Sequence, residues 1–409
     1  MDITLLKPTF RQNIYIPSSK SELHRLIICA FLSDKPTDIF FSGSLSDDIK
    51  ATLNCIKALG ADYETEDGKI TVYPKKTEAV FPVLDCRSSG TTLRFFLCIC
   101  AGLGIKAKLV FSDGLSERPL SELCEALRGN GCKLTEDKNS VTITCGTTSE
   151  NFVIKGDISS QFISGLMFLC SIKGGKITLT TPLQSKPYAD MTEKILSEFG
   201  CNIKSTKTGY EIKKAFPLNS SGLYKADGDF SNAAFALIGG ITGKNPVTVK
   251  GINRKSKQGD SEIINILSSA GAEFTFGENS ITAYPSRLKG ISFSGKDTPD
   301  IIMPLCIAFL TADGKTEISD TERLKLKETD RIKSLMEIIN SLGGKCEYND
   351  GTLTVFPSHL SGGKVNGYND HRTVMTAVLA STLCEKQVTV TSSEAVEKSY
   401  PEFFGSLIF

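Results

Sequence analysis

Leu53-Asn-Cys-Ile-Lys-Ala-Leu-Gly60 reads as the end of a short amphipathic helix stopped by glycine, and the residues after it alternate in polarity, turn at Glu66-Asp-Gly68 and end at Pro74. The same helix, glycine and hairpin return around Gly131, Gly200, Gly271 and Gly343, at intervals of 71, 69, 71 and 72 residues. In the last copy the helix face is carried by Leu335, Ile338, Ile339 and Leu342, and the hairpin by Thr352-Leu-Thr-Val-Phe356 after Asn349-Asp-Gly351. A second piece interleaves with the first: a nearly all-apolar helix, a small-residue turn and a strand. Its helices begin near Ser21, Thr91, Ser160, Ser231, Asp300 and His371, spaced by 70, 69, 71, 69 and 71 residues.

Six apolar helices against five hairpins leave one unit incomplete. The sixth runs out after Lys398-Ser-Tyr-Pro-Glu-Phe-Phe404, with no length left for a hairpin, while Ile3-Thr-Leu-Leu-Lys7 and Asn13-Ile-Tyr-Ile16 are to spare at the N-terminus and are expected to complete it. The chain then closes on itself as an α/β (α+β) protein of two similar domains with three repeat units each. The first is expected over residues 20–223 and the second over 1–19 plus 224–409. Pro17-Ser-Ser19 and the linker-like Asn219-Ser-Ser-Gly-Leu-Tyr224 are the expected crossings, side by side as a hinge.

Composition narrows the function classes. Lys plus Arg number 47 and Asp plus Glu 46, so global charge selects neither nucleic acid nor a membrane surface, and anion affinity has to come from local clustering. The N-terminus lacks the pattern of a secretion signal and no apolar run is long enough to span a membrane, which makes a cytoplasmic enzyme the expectation. Of the 13 cysteines none forms a Cys-x-x-Cys pair, and Cys98, Cys100, Cys170, Cys306 and Cys384 sit in apolar runs, as buried reduced thiols do. His24, His359 and His371 are too scattered for a metal site, and there is no Walker loop and no Gly-x-Gly-x-x-Gly after a strand. No metal, nucleotide or redox cofactor is expected. Binding two anionic small molecules and moving a group between them fits better.

The polar residues at the six apolar helix starts carry the functional signal, because a buried helix exposes little besides its N-terminus. They are Ser18-Ser-Lys-Ser21 with Arg25; Ser88-Ser-Gly-Thr91 with Arg94; Gly156-Asp-Ile-Ser-Ser-Gln161; Asp227-Gly-Asp-Phe-Ser-Asn232; Asp297-Thr-Pro-Asp300; and Tyr368-Asn-Asp-His-Arg372. Helix N-termini favour anions, and equivalent positions in a repeat are expected to face one cleft between the domains. Arg118-Pro119, Lys186-Pro-Tyr188, Lys327-Glu-Thr-Asp-Arg331 and Lys398 add cations. Each has a plainer reading, as a helix cap, a salt-bridged helix start or a surface lysine; recurrence at equivalent places in the repeat favours the functional one.

Taken in order along the chain, Lys20-Ser21 with Arg25, Ser88-Ser-Gly-Thr-Thr-Leu-Arg94, Arg118-Pro119, Ser159-Ser-Gln161, Ser185-Lys-Pro-Tyr188, Asp297-x-x-Asp300, Lys327-Glu-Thr-Asp-Arg331, Asn369-Asp-His-Arg372 and Lys398 resemble the 3-phosphoshikimate 1-carboxyvinyltransferase (EPSP synthase) family from end to end. The resemblance implies two domains of three βαβαββ units, an inside-out α/β barrel with an interdomain active-site cleft. It implies transfer of the enolpyruvyl group of phosphoenolpyruvate to the 5-hydroxyl of 3-phosphoshikimate, without a cofactor, on the route to chorismate and aromatic amino acids. By the same resemblance Ser159, Ser160, Ser185 and Lys327 hold the shikimate phosphate, Gln161 lies against the ring, and Ser21 and Arg25 face its carboxylate. Lys20 and Asp300 also border this acceptor site. Phosphoenolpyruvate is assigned to Lys20, Gly90, Arg118, Gln161, Arg331, Arg372 and Lys398. Glu328 is the implied acid and base at the methylene carbon and Asp300 the base for the hydroxyl, with Lys20 or Lys398 able to share either proton.

Three departures qualify the match. Ser88 is smaller than the Asn or Glu usual in the family, Phe95 stands where many relatives have proline or another apolar residue, and Arg323 stands where the family has Asn or Glu; the retained Gly90 implies sensitivity to glyphosate. The sister reaction on UDP-N-acetylglucosamine is the alternative; its usual reactive cysteine is replaced here by Asp113, a substitution that occurs there too. A non-catalytic anion-binding relative is the other alternative, opposed by the retention of Asp300 and Glu328. A monomer is expected, since each domain closes with its own units.

Overall fold

The computed structural model describes residues 1–74 and 80–408. The apolar helices of the repeat are α1 (Lys20–Phe31), α2 (Gly90–Leu103), α3 (Ser160–Lys173), α4 (Phe230–Thr242), α5 (Ile302–Phe309) and α6 (His371–Ser381). Nearly every residue of α2, α3 and α4 is buried, as an all-round apolar helix requires. Small residues set the closest approaches. A Cβ at Gly165 of α3 would lie 2.9 Å from Cys98 Sγ and 3.0 Å from the Arg94 carbonyl oxygen of α2, so this crossing admits only glycine.

Five four-stranded sheets share one strand order. In each, a first strand pairs parallel with the strand that follows an apolar helix; that strand pairs antiparallel with the second arm of the hairpin, whose first arm forms the far edge. The sheet at Val83–Asp85 shows the pattern: it pairs parallel with Ala107–Val110, which lies antiparallel to Ser140–Cys145, itself paired with Lys133–Asp137. The incomplete sixth unit has Gly363–Val365 parallel to Val388–Val390, and the antiparallel neighbour is Ile3–Leu5 from the N-terminus, with Ile3 opposite Val390. Thr9–Phe10 forms a separate two-stranded ladder with Leu407–Ile408.

Asn13–Tyr15 departs from expectation. It does not complete the sixth unit but pairs parallel with Val247–Lys250, Ile14 opposite Val249, and so serves as the first strand of the fourth unit. Leu223–Lys225 in turn pairs parallel with Thr37–Phe40 of the first unit. The physical reason is that the strand directly before α1 and the strand directly before α4 have exchanged sheets: each stays with the compact unit the chain is leaving.

Two such units result. One holds residues 1–19, 42–46 and 227–409, the other residues 20–41 and 47–226. The boundary falls after Ala226 and not after Leu223, because the exchanged strand carries the chain to Lys225; Tyr224, read from sequence as linker, stacks on Phe199 at 4.0 Å between ring centroids. Ser42–Ser46 also belongs with the first of these units, tied by the Ser18 amide donating to the Ser42 carbonyl at 2.9 Å. Within that unit Ser19 N–H donates to the Asp227 carbonyl at 2.7 Å and Asp229 N–H to the Pro17 carbonyl at 3.0 Å, so the first expected crossing, Pro17–Ser19, is hydrogen-bonded to the segment just after the second and not to Asn219–Tyr224 itself. Gly228 in turn packs on a different segment: a Cβ there would stand 2.3 Å from the Gly251 carbonyl oxygen.

All 13 cysteines are free, and all but Cys145 are buried. Among the described residues no helix is long and apolar enough to cross a membrane.

The N-terminal segment is locked onto α4 at Gly239, where a Cβ would lie 2.1 Å from Cδ2 of the Phe10 ring. Gly239→Ala is therefore expected to destabilise by about 1–3 kcal/mol, the usual range for overpacking, and Phe10→Leu in that background to recover part of the loss. Urea unfolding of the two single variants and the double variant measures the coupling; strictly additive effects would contradict the contact.

Candidate active site

The helix starts of each unit assemble their own set of polar groups. In the unit of residues 20–41 and 47–226, Lys20 opens α1 and its Nζ lies 2.7 Å from Asp48 Oδ2, on the helix Asp47–Ala58. Ser21 follows, its carbonyl accepting from Arg25 Nη1 at 2.7 Å. The Arg25 guanidinium is buried and donates also to Thr192 Oγ1 (2.7 Å), Ser164 Oγ (3.2 Å) and the Tyr188 carbonyl (2.9 Å). Four of its five N–H groups are thereby used inside the protein. Burial lowers its pKa to about 10.

At α2, Ser89 caps the helix by accepting from the Thr92 amide at 3.2 Å. Directly over the following Gly90 lie two guanidinium groups: a Cβ at that position would meet Arg118 Nη1 at 2.9 Å and Arg94 Nη1 at 3.0 Å. Arg94 donates to the Pro119 carbonyl at 2.8 Å and to Gln161 Oε1, while Gln161 Nε2 donates to Thr91 Oγ1 at 2.9 Å. Gln161, on the first turn of α3, is therefore tied to the start of α2. Ser159 caps α3, and Ser160 beside it is buried. Ser185 adopts a left-handed conformation (φ 51°) before the helix Lys186–Glu198, and its loop meets the Gly156 loop through the Gln184 amide and the Gly156 carbonyl at 3.1 Å. Ser159, Ser160 and Ser185 thus sit on two hydrogen-bonded loops. Ser88 bonds Ser112 Oγ at 3.0 Å, and Asp113 lies at an exposed ion pair with Lys138, 3.4 Å away.

In the unit of residues 1–19, 42–46 and 227–409, the centre is Arg331, which is 1% exposed. Its Nη1 lies 2.7 Å from Asp300 Oδ1, its Nη2 2.7 Å from Glu328 Oε2, and its Nε 2.9 Å from Asp370 Oδ2. Lys327 Nζ adds a second cation at Asp300, at 3.3 Å. Burial by itself raises the Asp300 carboxyl, but Lys327, Arg331 and Arg372 together hold it well below the usual carboxylate range. Lys327 is lowered by burial, with the charge of Asp300 opposing. Asp370 also caps α6 by accepting from the Arg372 amide at 2.7 Å. The Arg372 side chain donates through Nη1 to the Ser231 carbonyl and Asn232 Oδ1, both at 3.0 Å, and its buried Nε has no hydrogen-bond partner among the described residues. Lys398 Nζ donates to the Asn369 carbonyl. Arg323 lies close enough to Lys327 to contribute to lowering it.

Four groups absent from the sequence-based assignment emerge here: Asp48, Arg94, Asp370 and Asp260. Asp370 and Arg94 stand inside quoted motifs, so their proximity to site residues was visible but not their role as clamps. Asp48 and Asp260 carried no such signal. Asp260 accepts from Ser231 Oγ at the start of α4, and burial together with the charge of Asp300 pushes its carboxyl up to about 7. Among the described residues no cluster of His, Cys, Asp and Glu is arranged to hold a metal ion.

Chemically, the unit centred on Arg331 offers carboxylates among fixed cations, and the unit holding α1 to α3 offers helix starts and a pair of guanidinium groups above a glycine. Residues 8–407 match the family model described as EPSP synthase (3-phosphoshikimate 1-carboxyvinyltransferase). The 3-phosphoshikimate 1-carboxyvinyltransferase of Clostridium acetobutylicum is 37% identical over 97% of this chain and 94% of its own length, and that of Clostridium perfringens (strain SM101 / Type A) is 34% identical over 96% and 94%. The fold is that of EPSP synthase from Acinetobacter baumannii (TM-score 0.81, 22% identity, covering 99% of this chain and 97% of that one) and of the enolpyruvyl transferase NikO from Streptomyces tendae (TM-score 0.78, 14% identity, 99% and 96%). With the family model spanning almost its whole length and relatives above 30% identity covering it end to end, this chain belongs to the EPSP synthase family.

Proposed function

We propose that the chain transfers the enolpyruvyl group of phosphoenolpyruvate to the 5-hydroxyl of 3-phosphoshikimate and releases phosphate. Family membership supports the reaction, and one observation carries its chemistry: Asp300 and Glu328 share the buried cation Arg331, so two carboxylates are fixed beside groups that attract anions. The transfer changes no oxidation state and needs proton movements only, which side chains supply.

In this reading Ser159, Ser160, Ser185 and Lys327 take the acceptor's phosphate, and Ser21, Arg25 and Gln161 its carboxylate and ring. Lys20, Gly90, Arg118, Gln161, Arg331, Arg372 and Lys398 take phosphoenolpyruvate. The guanidinium groups suit this role because their planar forks match carboxylate and phosphate oxygens. Glu328 delivers a proton to the methylene carbon, cationic character develops at the neighbouring carbon, and the 5-hydroxyl oxygen bonds to it as Asp300 takes the hydroxyl proton. In the second half a methyl proton returns to Glu328, the carbon–oxygen bond to phosphate breaks with its electron pair going to phosphate, and the proton held by Asp300 passes to the departing phosphate, so both carboxyl groups return to their starting states.

The electrostatics of the resting site support Asp300 as the base. Held well below the usual range, it is ionised at neutral pH. An acceptor phosphate that draws Lys327 away removes one of the cations responsible, so the proton affinity of Asp300 rises when substrate is present. Arg331 does not follow, because Asp370 grips it through both Nε and Nη2.

The test is phosphate release from phosphoenolpyruvate mixed with the protein and either 3-phosphoshikimate or UDP-N-acetylglucosamine. Release is expected with the first acceptor only; release with the sugar nucleotide alone would assign the sister reaction, and none with either would leave a binding protein. Glu328→Gln is expected to lower turnover by at least about a hundredfold, the scale of a lost acid–base group, and near-normal turnover would remove Glu328 from that role. Gly90→Ala places a methyl group 2.9 Å from Arg118 Nη1, so the guanidinium must shift. The KM for phosphoenolpyruvate is expected to rise roughly tenfold with a smaller change in kcat and an unchanged KM for the acceptor.

A further inference from the structure

Two rungs join α1 to the helix Asp47–Ala58. Lys20 pairs with Asp48 at 2.7 Å, and one helical turn on, His24 Nδ1 lies 2.7 Å from Thr52 Oγ1. The second rung continues. Thr52 Oγ1 lies 2.8 Å from Thr92 Oγ1 on α2, and Thr92 donates its hydroxyl proton to Ser89 Oγ at 2.7 Å. Ser89 is the residue that caps α2 and immediately precedes Gly90. His24, Thr52, Thr92 and Ser89 are each 0% exposed, so these bonds lie out of reach of bulk solvent.

The direction of the chain follows from counting protons. A hydroxyl has one to give. Thr92 spends its proton on Ser89, so toward Thr52 it can only accept; Thr52 spends its own on Thr92, so toward His24 it too can only accept. The donor at the head of the chain is therefore His24 Nδ1–H. At the other side of the ring, the buried Nε2 has no hydrogen-bond partner among the described residues, as befits an imidazole whose single proton is on Nδ1. Burial, Lys20 and Arg25 all lower the His24 pKa well below its ordinary value, so the ring stays neutral.

We infer that His24, as the neutral Nδ1–H tautomer, is a positioning residue: it anchors a buried relay through Thr52, Thr92 and Ser89 that ties the start of α1, bearing Lys20, to the start of α2, bearing Gly90. It touches no substrate. It acts by fixing where the Ser89 cap and the Gly90 backbone stand relative to Lys20, and so sets the geometry of the donor-binding side. The inference rests on the assignment of Lys20 and Gly90 to phosphoenolpyruvate made above.

Histidine-specific ¹⁵N labelling of the resting protein tests the relay without any substrate. The His24 resonances, identified by their loss in His24→Asn, are expected to show a protonated Nδ1 and a bare Nε2 at neutral pH; an Nε2–H tautomer or an imidazolium would overturn the inference. Kinetics test the positioning. His24→Leu, which keeps the site apolar but removes the donor, is expected to raise the KM for phosphoenolpyruvate about tenfold, the scale of one buried hydrogen bond, and leave the KM for 3-phosphoshikimate within about twofold. Thr52→Val, cutting the relay at the next link with little change of shape, is expected to do the same. His24→Asn, whose side-chain amide can donate from nearly the same place as Nδ1, is expected to recover most of the loss. Equal KM values in the Leu and Asn variants, or a loss confined to kcat, would overturn the positioning role. Absence of phosphate release from the unmodified protein would instead defeat the functional assignment, while the tautomer measurement would still decide the relay.

Discussion

Arg331 is the group on which the candidate catalytic chemistry depends. A guanidinium so fully buried, with three carboxylates around it, is an expensive arrangement: each charge loses hydration, and only close, well-oriented partners compensate. The three carboxylates are not equivalent. Asp370 is wholly buried and serves both Arg331 and the start of α6, so it acts as a fixed anchor. Asp300 and Glu328 are partly open and touch Arg331 through one oxygen each. One cation thus orients the two carboxylates proposed for proton transfer.

The two units present their N–H groups and cations by different means, although they share one repeat. The unit containing α1 to α3 relies on helix starts capped by serine, on a glycine that leaves the backbone bare, and on guanidinium groups steered by neighbours such as Pro119 and Gln161. The unit containing α4 to α6 relies on charge, with Lys327, Arg331, Arg372 and Lys398 close to carboxylates or carbonyls that hold them in place. The difference matters for proton transfer. The two carboxylates proposed for proton transfer, Asp300 and Glu328, stand in the field of these cations.

Much of the architecture was legible because the repeat is periodic in a property that the fold needs. Gly60, Gly131, Gly200, Gly271 and Gly343 all adopt positive φ, so the helix stop that revealed the repeat is a backbone requirement and not a coincidence of composition. The strand Asn13–Tyr15 was assigned to the wrong sheet for an equally physical reason. Strand alternation shows that a segment pairs, but the partner is fixed by topology, and an exchange between repeats leaves no trace in the segment itself. In the candidate site, the residues proposed to face ligands stood out as polar groups at apolar helix starts. Groups that orient them did not. Asp48 sits at the head of an ordinary amphipathic helix, and nothing in its neighbours signals the bond to Lys20 across 28 positions.

That division between what faces a ligand and what holds it follows from the way the repeat buries its helices. Once an apolar helix is enclosed by its sheet and its neighbours, its first turn is the part left for chemistry, and the remaining proposed positions, such as Arg118, Glu328 and Lys398, lie outside the apolar helices. The first turn is also the part of a helix with the fewest backbone hydrogen bonds to restrain it. Lateral ties restrain four of the starts: Asp48 at α1, the hydroxyl relay and Gln161 at α2, Ser231 with Asp260 at α4, and Asp370 at α6. Five of these residues, Thr52, Thr92, Ser231, Asp260 and Asp370, are buried and polar, which is costly unless each bond is made. A fold that places its chemistry at helix starts must accept that cost, and the buried polar residues beside those starts are where it is met.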